Sequence, residues 1–222
     1  MKIVAAKKIL KANDQLAAEN RAHFSAQRLF CVNLVGSPGC GKTTLLEGLF
    51  AQLRPRLMPA VIEGDIAGQV DADRMEKIGV PVVQINTDGM CHLDASMIAA
   101  AADGLATPQV NMLWIENVGN LVCTAGYDLG EHLRIVALST SEGDDKLIKY
   151  PAIFQRSDAL VITKTDLLPY LNFDLEKARA DMLRLAPDAR IFVVSAKTGE
   201  GLGELTNWLI DRCGAEWAPN NA

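Results

Sequence analysis

One nine-residue stretch narrows the possible folds of this chain more than any other feature in it. Leu29–Val35 reads as a short apolar strand, and Gly36-Ser37-Pro38-Gly39-Cys40-Gly41-Lys42-Thr43-Thr44 follows it directly. From Lys42 to Leu53 the pattern turns helical. A glycine-rich turn spaced G-x-x-x-x-G-K-[ST] between a strand and a helix lets successive backbone N–H groups converge on phosphate oxygens. Gly36, Gly39 and Gly41 permit the curl, Cys40 is a small filler whose backbone does the binding, and the helix N-terminus adds its dipole. Lys42 is placed to reach the β- and γ-phosphates of a nucleotide. Thr43 offers a hydroxyl to Mg²⁺, and Thr44 completes the binding stretch.

The same strand–helix alternation runs through the rest of the chain. Ala60–Glu63, Val82–Ile85, Met112–Glu116, Leu133–Ser139, Ala159–Thr163 and Ile191–Ser195 read as further strands. Most are continuous apolar runs, as expected of parallel strands covered on both faces. Helical segments are expected at Ala72–Lys77, Asp94–Ala102, Leu175–Leu185 and Leu202–Cys213. The pattern predicts an α/β domain with a doubly wound, mostly parallel sheet over residues 29–215. An N-terminal helical segment over 1–28 precedes it and a tail over 216–222 follows. The amphipathic helix expected from Lys7 to Gln27 either packs on its own domain, the simpler arrangement, or docks a partner.

Composition removes several classes. A length of 222 residues with 49% hydrophobic content suffices for one buried core. The formal net charge is −5 and no run of Lys or Arg forms a basic face, which argues against nucleic acid as a partner. No apolar run reaches the length of a membrane span, and Met1-Lys2 opens no apolar signal block. A cytoplasmic protein is the expectation. The five cysteines are too few and too scattered for a disulfide framework, so they read as free thiols or metal ligands.

Two strand ends in the C-terminal half bear on the base. Thr163-Lys164-Thr165-Asp166 and Ser195-Ala196-Lys197 resemble the paired guanine-recognition elements of the GTPase superfamily. The Asp166 carboxylate can accept from both the N1–H and the exocyclic amine of guanine, a pair adenine does not present. The stem of Lys164 can cover the base plane, and the Ala196 amide can bond the guanine oxygen. These elements favour GTP and GDP over ATP. GTPases usually carry Asn where Thr163 stands, so weaker bracing of the loop is expected.

Two more strand ends carry acids where a γ-phosphate and Mg²⁺ would lie: Glu63-Gly64-Asp65-Ile66-Ala67-Gly68 and Glu116-Asn117-Val118-Gly119-Asn120. Asp65 is the preferred carboxylate for Mg²⁺. Glu116 either joins that shell or orients the attacking water, and Gly119 presents its N–H to the γ-phosphate. Lys42, Asp65 and Glu116 are thus the candidate catalytic residues. Cys91 and His92 follow the third strand, and Cys123 closes the segment that begins at Glu116. Thiolate plus imidazole suits Ni²⁺ or Zn²⁺, and three protein ligands leave a shell that stays open or is completed by a second chain.

Together these residues resemble the HypB family, the nickel-handling GTPases of hydrogenase maturation, and the resemblance covers nearly the whole chain. It is carried by Ile9-Leu10-Lys11-Ala12-Asn13-Asp14 with Asn20-Arg21, by Gly64-Asp65-Ile66, by Cys91-His92-Leu93-Asp94-Ala95, and by Glu116-Asn117-Val118-Gly119-Asn120-Leu121-Val122-Cys123. Asp128-Leu129-Gly130-Glu131, Glu142-Gly143-Asp144-Asp145-Lys146 and Lys164-Thr165-Asp166-Leu167-Leu168-Pro169-Tyr170 continue it. It implies a nickel metallochaperone that hydrolyses GTP, forms a homodimer when GTP is bound, and acts with a maturation partner on the large subunit of [NiFe]-hydrogenase. It also implies that Cys91, His92 and Cys123 bind metal at the dimer interface. Within the 222 residues there is neither a Cys-rich nor a His-rich N-terminal tract, so only the GTPase-domain site is expected to hold nickel. Thr124 and Leu147 stand where the family often has proline. Two other readings are a GTPase accessory protein for another nickel enzyme such as urease, whose family typically has Cys-Pro-His, and a nucleotide-binding scaffold without metal delivery.

Overall fold

In the computed structural model, residues 6–66, 68, 70–105 and 109–217 are described, with side chains from residue 10 onward. The expected strands all form: β1 (Phe30–Gly36), β2 (Pro59–Asp65), β3 (Val82–Asn86), β4 (Met112–Glu116), β5 (Leu133–Ser139), β6 (Ala159–Thr163) and β7 (Arg190–Val193). They make one seven-stranded sheet in the order β3-β2-β4-β1-β5-β6-β7, and every pairing within it is parallel. The helices are α1 (Ala6–Ala26), α2 (Lys42–Leu53), α3 (Val70–Lys77), α4 (Ala95–Ala102), α5 (Lys146–Lys149), α6 (Pro151–Gln155), α7 (Leu175–Leu185) and α8 (Leu202–Glu216). The strand order reverses about β1, so the crevice at its carboxyl end is the natural ligand position.

Side-chain alternation along β1 explains the layering. Phe30, Val32 and Leu34 face the core under α2 and α8, where Leu45, Leu49, Phe50, Leu205 and Leu209 meet them. Cys31 points to the opposite face, into a cluster with Phe24 of α1 and Ile98 of α4. Val35 joins Leu138, Ile162, Phe154 of α6 and Met182 of α7 on that same side. Each such buried aliphatic or aromatic side chain contributes about 1.5–3 kcal/mol relative to exposure.

Helix α1 packs on its own domain, mainly along α4. Several boundaries differ from expectation by one to three residues. α3 begins at Val70, two residues earlier, and β7 ends at Val193. α8 continues past Cys213 to Glu216, into the segment assigned to the tail, while residues 218–222 of that tail lie outside the described residues. Residues 1–5 and Ala67 also lie outside them. The short helices α5 and α6 were not anticipated. Pro151 at the first turn of α6 is the signal for one of them, since proline suits the position whose N–H has no helical partner.

Candidate nucleotide cleft and thiol site

The phosphate loop is shaped by two glycines and braced by side chains from three strand ends. Gly39 and Gly41 sit at φ +72° and +94°, a region open to glycine at no steric cost. Cys40 turns inward and is fully buried, so it offers the cleft backbone only. Burial pushes its thiol up to about 11. Its sulfur lies so near Gly36 that a Cβ there would stand 2.7 Å from it. The Ser37 hydroxyl donates to Glu142. Thr163 does make a bracing contact: its hydroxyl donates to the Cys40 carbonyl at 2.6 Å. Lys164 donates to the Gly39 carbonyl at 2.6 Å.

Lys42, Thr43 and Thr44 line a cleft of about 450 Å³ with Glu63, Asp65, Glu116 and Gly119. The Thr43 hydroxyl donates to Glu116 Oε1 at 2.8 Å. Glu116 is 2% exposed and Glu63 4%, and burial raises both carboxyls above the ordinary range. One oxygen each of Glu63, Asp71 and Glu116 lies within 4.8 Å of the others. Glu63 Oε2 and Glu116 Oε2 have no hydrogen-bond partner among the described residues. Buried, unpartnered carboxylate oxygens are costly unless a cation meets them, and an all-oxygen set suits a hard divalent ion. Mg²⁺ therefore fits the residues present.

The carboxylates differ from the expected set in a definite way. Asp65 lines the cleft, but its oxygens accept from the Ile66 N–H at 2.6 Å and the Gly68 N–H at 3.0 Å. Its own turn thus engages the group, and Glu63 and Asp71 stand with Glu116 instead. Arg74 also lines the cleft; it pairs with Glu47 and Asp71 and donates to the Thr44 hydroxyl at 2.9 Å. The signal for Asp71 and Arg74 was their i, i+3 spacing on the helix after the acidic loop. For Glu63 it was a carboxylate inside an apolar strand.

A second, largely apolar cavity of about 310 Å³ shares Gly41, Thr44 and Lys164 with the first and reaches Thr163, Asp166, Ala196 and Lys197. Ser195 stands behind this cavity. It is fully buried, and its hydroxyl donates to Asp166 Oδ1 at 2.8 Å. Ser195 thus orients the carboxylate and leaves the second oxygen of Asp166 for a base edge. Thr140 holds the Lys164 carbonyl at 2.8 Å, with Lys164 itself at φ +57°.

The thiol site lies on segments that touch this cleft. Cys91 and Cys123 come together, sulfur to sulfur at 2.6 Å, and Cys91 Sγ is 3.9 Å from His92 Nδ1. The three ligand atoms do not all fall within 4.8 Å of one another, as the acidic set does. The His92 ring stacks on Tyr127, with centroids 3.9 Å apart. Burial lowers the imidazole's proton affinity, and the contact with Cys91 raises that of the Cys123 thiol. Cys123 is tied to the phosphate loop through one residue, Asn120, by its side chain on one side and its backbone N–H on the other. Asn120 accepts from the Val122 and Cys123 N–H groups at 2.7 and 2.9 Å, and its own N–H donates to the Gly36 carbonyl at 2.9 Å. Next to His92, Leu93 fills the space at Gly64, where a Cβ would stand 2.6 Å from it.

Known proteins resemble this chain over most of its length. The CobW/HypB/UreG nucleotide-binding domain matches residues 30–193. Hydrogenase maturation factor HypB of Azotobacter chroococcum is 49% identical over 93% of this chain and 68% of its own length. Hydrogenase/urease maturation factor HypB of Helicobacter pylori strain J99 is 44% identical over 92% of this chain and 86% of its own. The crystal structure of HypB from Helicobacter pylori in complex with nickel superposes with a TM-score of 0.89 at 41% identity, covering 95% of this chain and 99% of that one. Among the described residues no helix is long and apolar enough to cross a membrane. With the domain match spanning most of the chain and the relatives aligned along nearly all of it, the chain belongs to the HypB family of nucleotide-binding hydrogenase maturation factors.

Proposed function

We propose that the chain hydrolyses GTP and uses the nucleotide state to control a nickel site at Cys91, His92 and Cys123, delivering the metal to a hydrogenase large subunit. The observation that carries this reading is Asn120, which links the Gly36 carbonyl of the phosphate loop to the backbone of Cys123. A change at the terminal phosphate that moves the Glu116–Asn120 segment must then move the thiol. Gly119 supports the same view, since a Cβ there would stand 2.9 Å from the Pro38 backbone. Segment and loop are in van der Waals contact.

In the hydrolytic step Lys42 neutralises charge on the β- and γ-phosphates, and the loop N–H groups hold them in place. Thr43, Glu116 and Glu63 would hold Mg²⁺, with Asp71 and Asp65 at its margin. Held there, Mg²⁺ would supply electrostatic stabilisation of the charge that develops on the phosphates. Glu116 also remains the candidate for orienting the attacking water. Asp166, Lys164, Ala196 and Lys197 select guanine. Nickel is cargo here, and Zn²⁺ competes for the same ligands.

Two ligand triplets facing each other across a two-fold axis would complete the shell, so a nucleotide-dependent homodimer is part of the proposal. Exposed Val122, beside Cys123, gives that contact an apolar element. The test is sedimentation of wild type and Cys91→Ala with GDP, a non-hydrolysable GTP analogue and Ni²⁺. Dimerisation that responds to GTP analogue and metal, and loses the metal response in the variant, supports the cycle. Dimerisation indifferent to all of them removes it.

A further inference from the structure

The asparagines of α1 have no part in nucleotide binding or in the thiol shell, yet both are almost completely buried. Asn13 is 6% exposed and Asn20 7%. Buried side-chain amides need partners, and these find theirs at long range in only two segments. Asn13 Oδ1 accepts from the Ala95 N–H at 2.9 Å, and its Nδ2 donates to the Asp128 carbonyl at 2.8 Å. Asn20 Nδ2 donates to the Ala95 carbonyl at 2.8 Å and to the Leu129 carbonyl at 3.1 Å. Ala95 lies three residues after His92, and Asp128 and Leu129 lie shortly after Cys123.

We propose that Asn13 and Asn20 are positioning residues for the thiol site: α1 clasps the Cys91–Ala95 segment to the Cys123–Glu131 segment and holds the metal ligands within reach of one another. The inference rests on the thiol-site reading given above. Cys91 and Cys123 are 32 residues apart in sequence. Neither segment is held to the other by strand pairing, because both are loops beyond the ends of β3 and β4. Besides the Cys91–Cys123 contact and the apolar cluster that Leu93 and Leu129 share, the His92–Tyr127 stack and the two asparagines bridge them.

Arg21 and Gly130 seat the clasp. Arg21 donates to both oxygens of Asp128 at 2.7 and 2.9 Å, and its Nε donates to the Glu131 carbonyl at 3.0 Å. Gly130 sits at φ +92° under α1, where a Cβ would lie 2.5 Å from Asn20 Cβ and 2.7 Å from the Ala17 carbonyl oxygen. The Gly130 N–H donates to Asp128 Oδ1 at 2.9 Å, which fixes the carboxylate that Arg21 holds. The clasp therefore lies in a helix before residue 30, where the nucleotide-binding domain match begins. Loss of outer hydrogen bonds around a metal site typically lowers affinity by about 10–100-fold.

The experiment is Ni²⁺ titration of the full chain, followed by calorimetry and by the thiolate-to-nickel charge-transfer absorption, in wild type, Asn13→Ala, Asn20→Ala, the double variant and Gln15→Ala. GDP affinity and the melting temperature are measured on the same samples. Expected is a loss of nickel affinity of about tenfold or more in the double variant with an altered charge-transfer band, at a GDP affinity equal to wild type. Gln15 is exposed and its side chain bonds Glu19, so Gln15→Ala should bind Ni²⁺ as wild type does. A double variant that binds Ni²⁺ as tightly as wild type, with the same band, overturns the clasp. If the alanine variants do not fold, Asn13→Asp takes their place, because it keeps the acceptor for the Ala95 N–H and loses the donor to Asp128. Wild-type affinity in Asn13→Asp contradicts the proposal, and weakened affinity supports it. Cys91→Ala separates the two levels of the argument. If that variant binds Ni²⁺ like wild type, the thiol-site reading itself fails and the clasp falls with it.

Discussion

The nucleotide cleft and the thiol site are built in opposite ways. The cleft is assembled at the carboxyl ends of adjacent parallel strands, and each of its parts is fixed by a strand pairing or by a short hydrogen bond to the next. Thr163 holds Cys40, Lys164 holds Gly39, Ser195 holds Asp166 and Thr43 holds Glu116. The thiol site is made of two loops that no strand pairing joins, held by a ring stack and by amides from a helix outside the sheet. A rigid cleft suits a ligand bound with fixed geometry. A loop-borne site suits a ligand that must be taken up and let go. The two meet at Asn120 and at the Leu93–Gly64 contact, so the loop-borne site is joined directly to the cleft.

The sharpest way to break this contrast is to disable one side and read the other. Lys42→Ala is expected to lower GTP hydrolysis by about 10²–10³-fold, as loss of a transition-state charge partner does. Nickel affinity of the nucleotide-free protein should stay unchanged, and phosphate release together with Ni²⁺ titration checks both. In the other direction, Cys123→Ser should lower nickel affinity by at least about tenfold, at wild-type GDP affinity. A parallel fall in GDP affinity would show that the two regions are not separable.

Smaller effects test the interior of the cleft. Asp166→Ala removes charge-assisted hydrogen bonds worth about 1.5–3 kcal/mol, so the preference for GDP over ADP should shrink by about 10–100-fold in competition binding. Thr163→Val keeps the shape and removes the hydroxyl that holds the Cys40 carbonyl. It should weaken GDP binding by about 1 kcal/mol, and Thr163→Asn should restore it. The smallest change is expected from Glu47→Gln. The Arg74–Glu47 pair is about a third exposed, so its loss should alter stability by less than about 1 kcal/mol in chemical denaturation.

Most of the fold and the phosphate loop were legible in the sequence because their signals are local. An apolar run, a glycine pattern and a helix follow one another within a few residues, and parallel strands announce themselves by unbroken hydrophobicity. The strand ends that bring Asp166 and Ala196 to one cavity were legible for the same reason. The carboxylate partner of Glu116 was less so. Asp65 and Glu63 are two residues apart on one strand, and only the turn that engages Asp65 leaves Glu63 and Asp71 beside Glu116. The hydroxyl of Thr163 shows the same limit, since a side chain that departs from a pattern can still make a bracing contact. Least legible was the role of α1. Asn13 and Asn20 were visible as residues, but their partners lie 75 to 115 positions away and are backbone atoms, which carry no side-chain signature.

The central claim is that the phosphate loop and the thiol site move as a unit through Asn120. Ni²⁺ affinity of wild type and Asn120→Ala, each loaded with GDP or with a non-hydrolysable GTP analogue, tests it most directly. The account predicts that wild-type affinity differs between the two nucleotides and that the difference shrinks in the variant, which keeps the backbone bond to Gly36 but loses the side-chain bond to Cys123. Equal affinity in both nucleotide states of the wild type would contradict it.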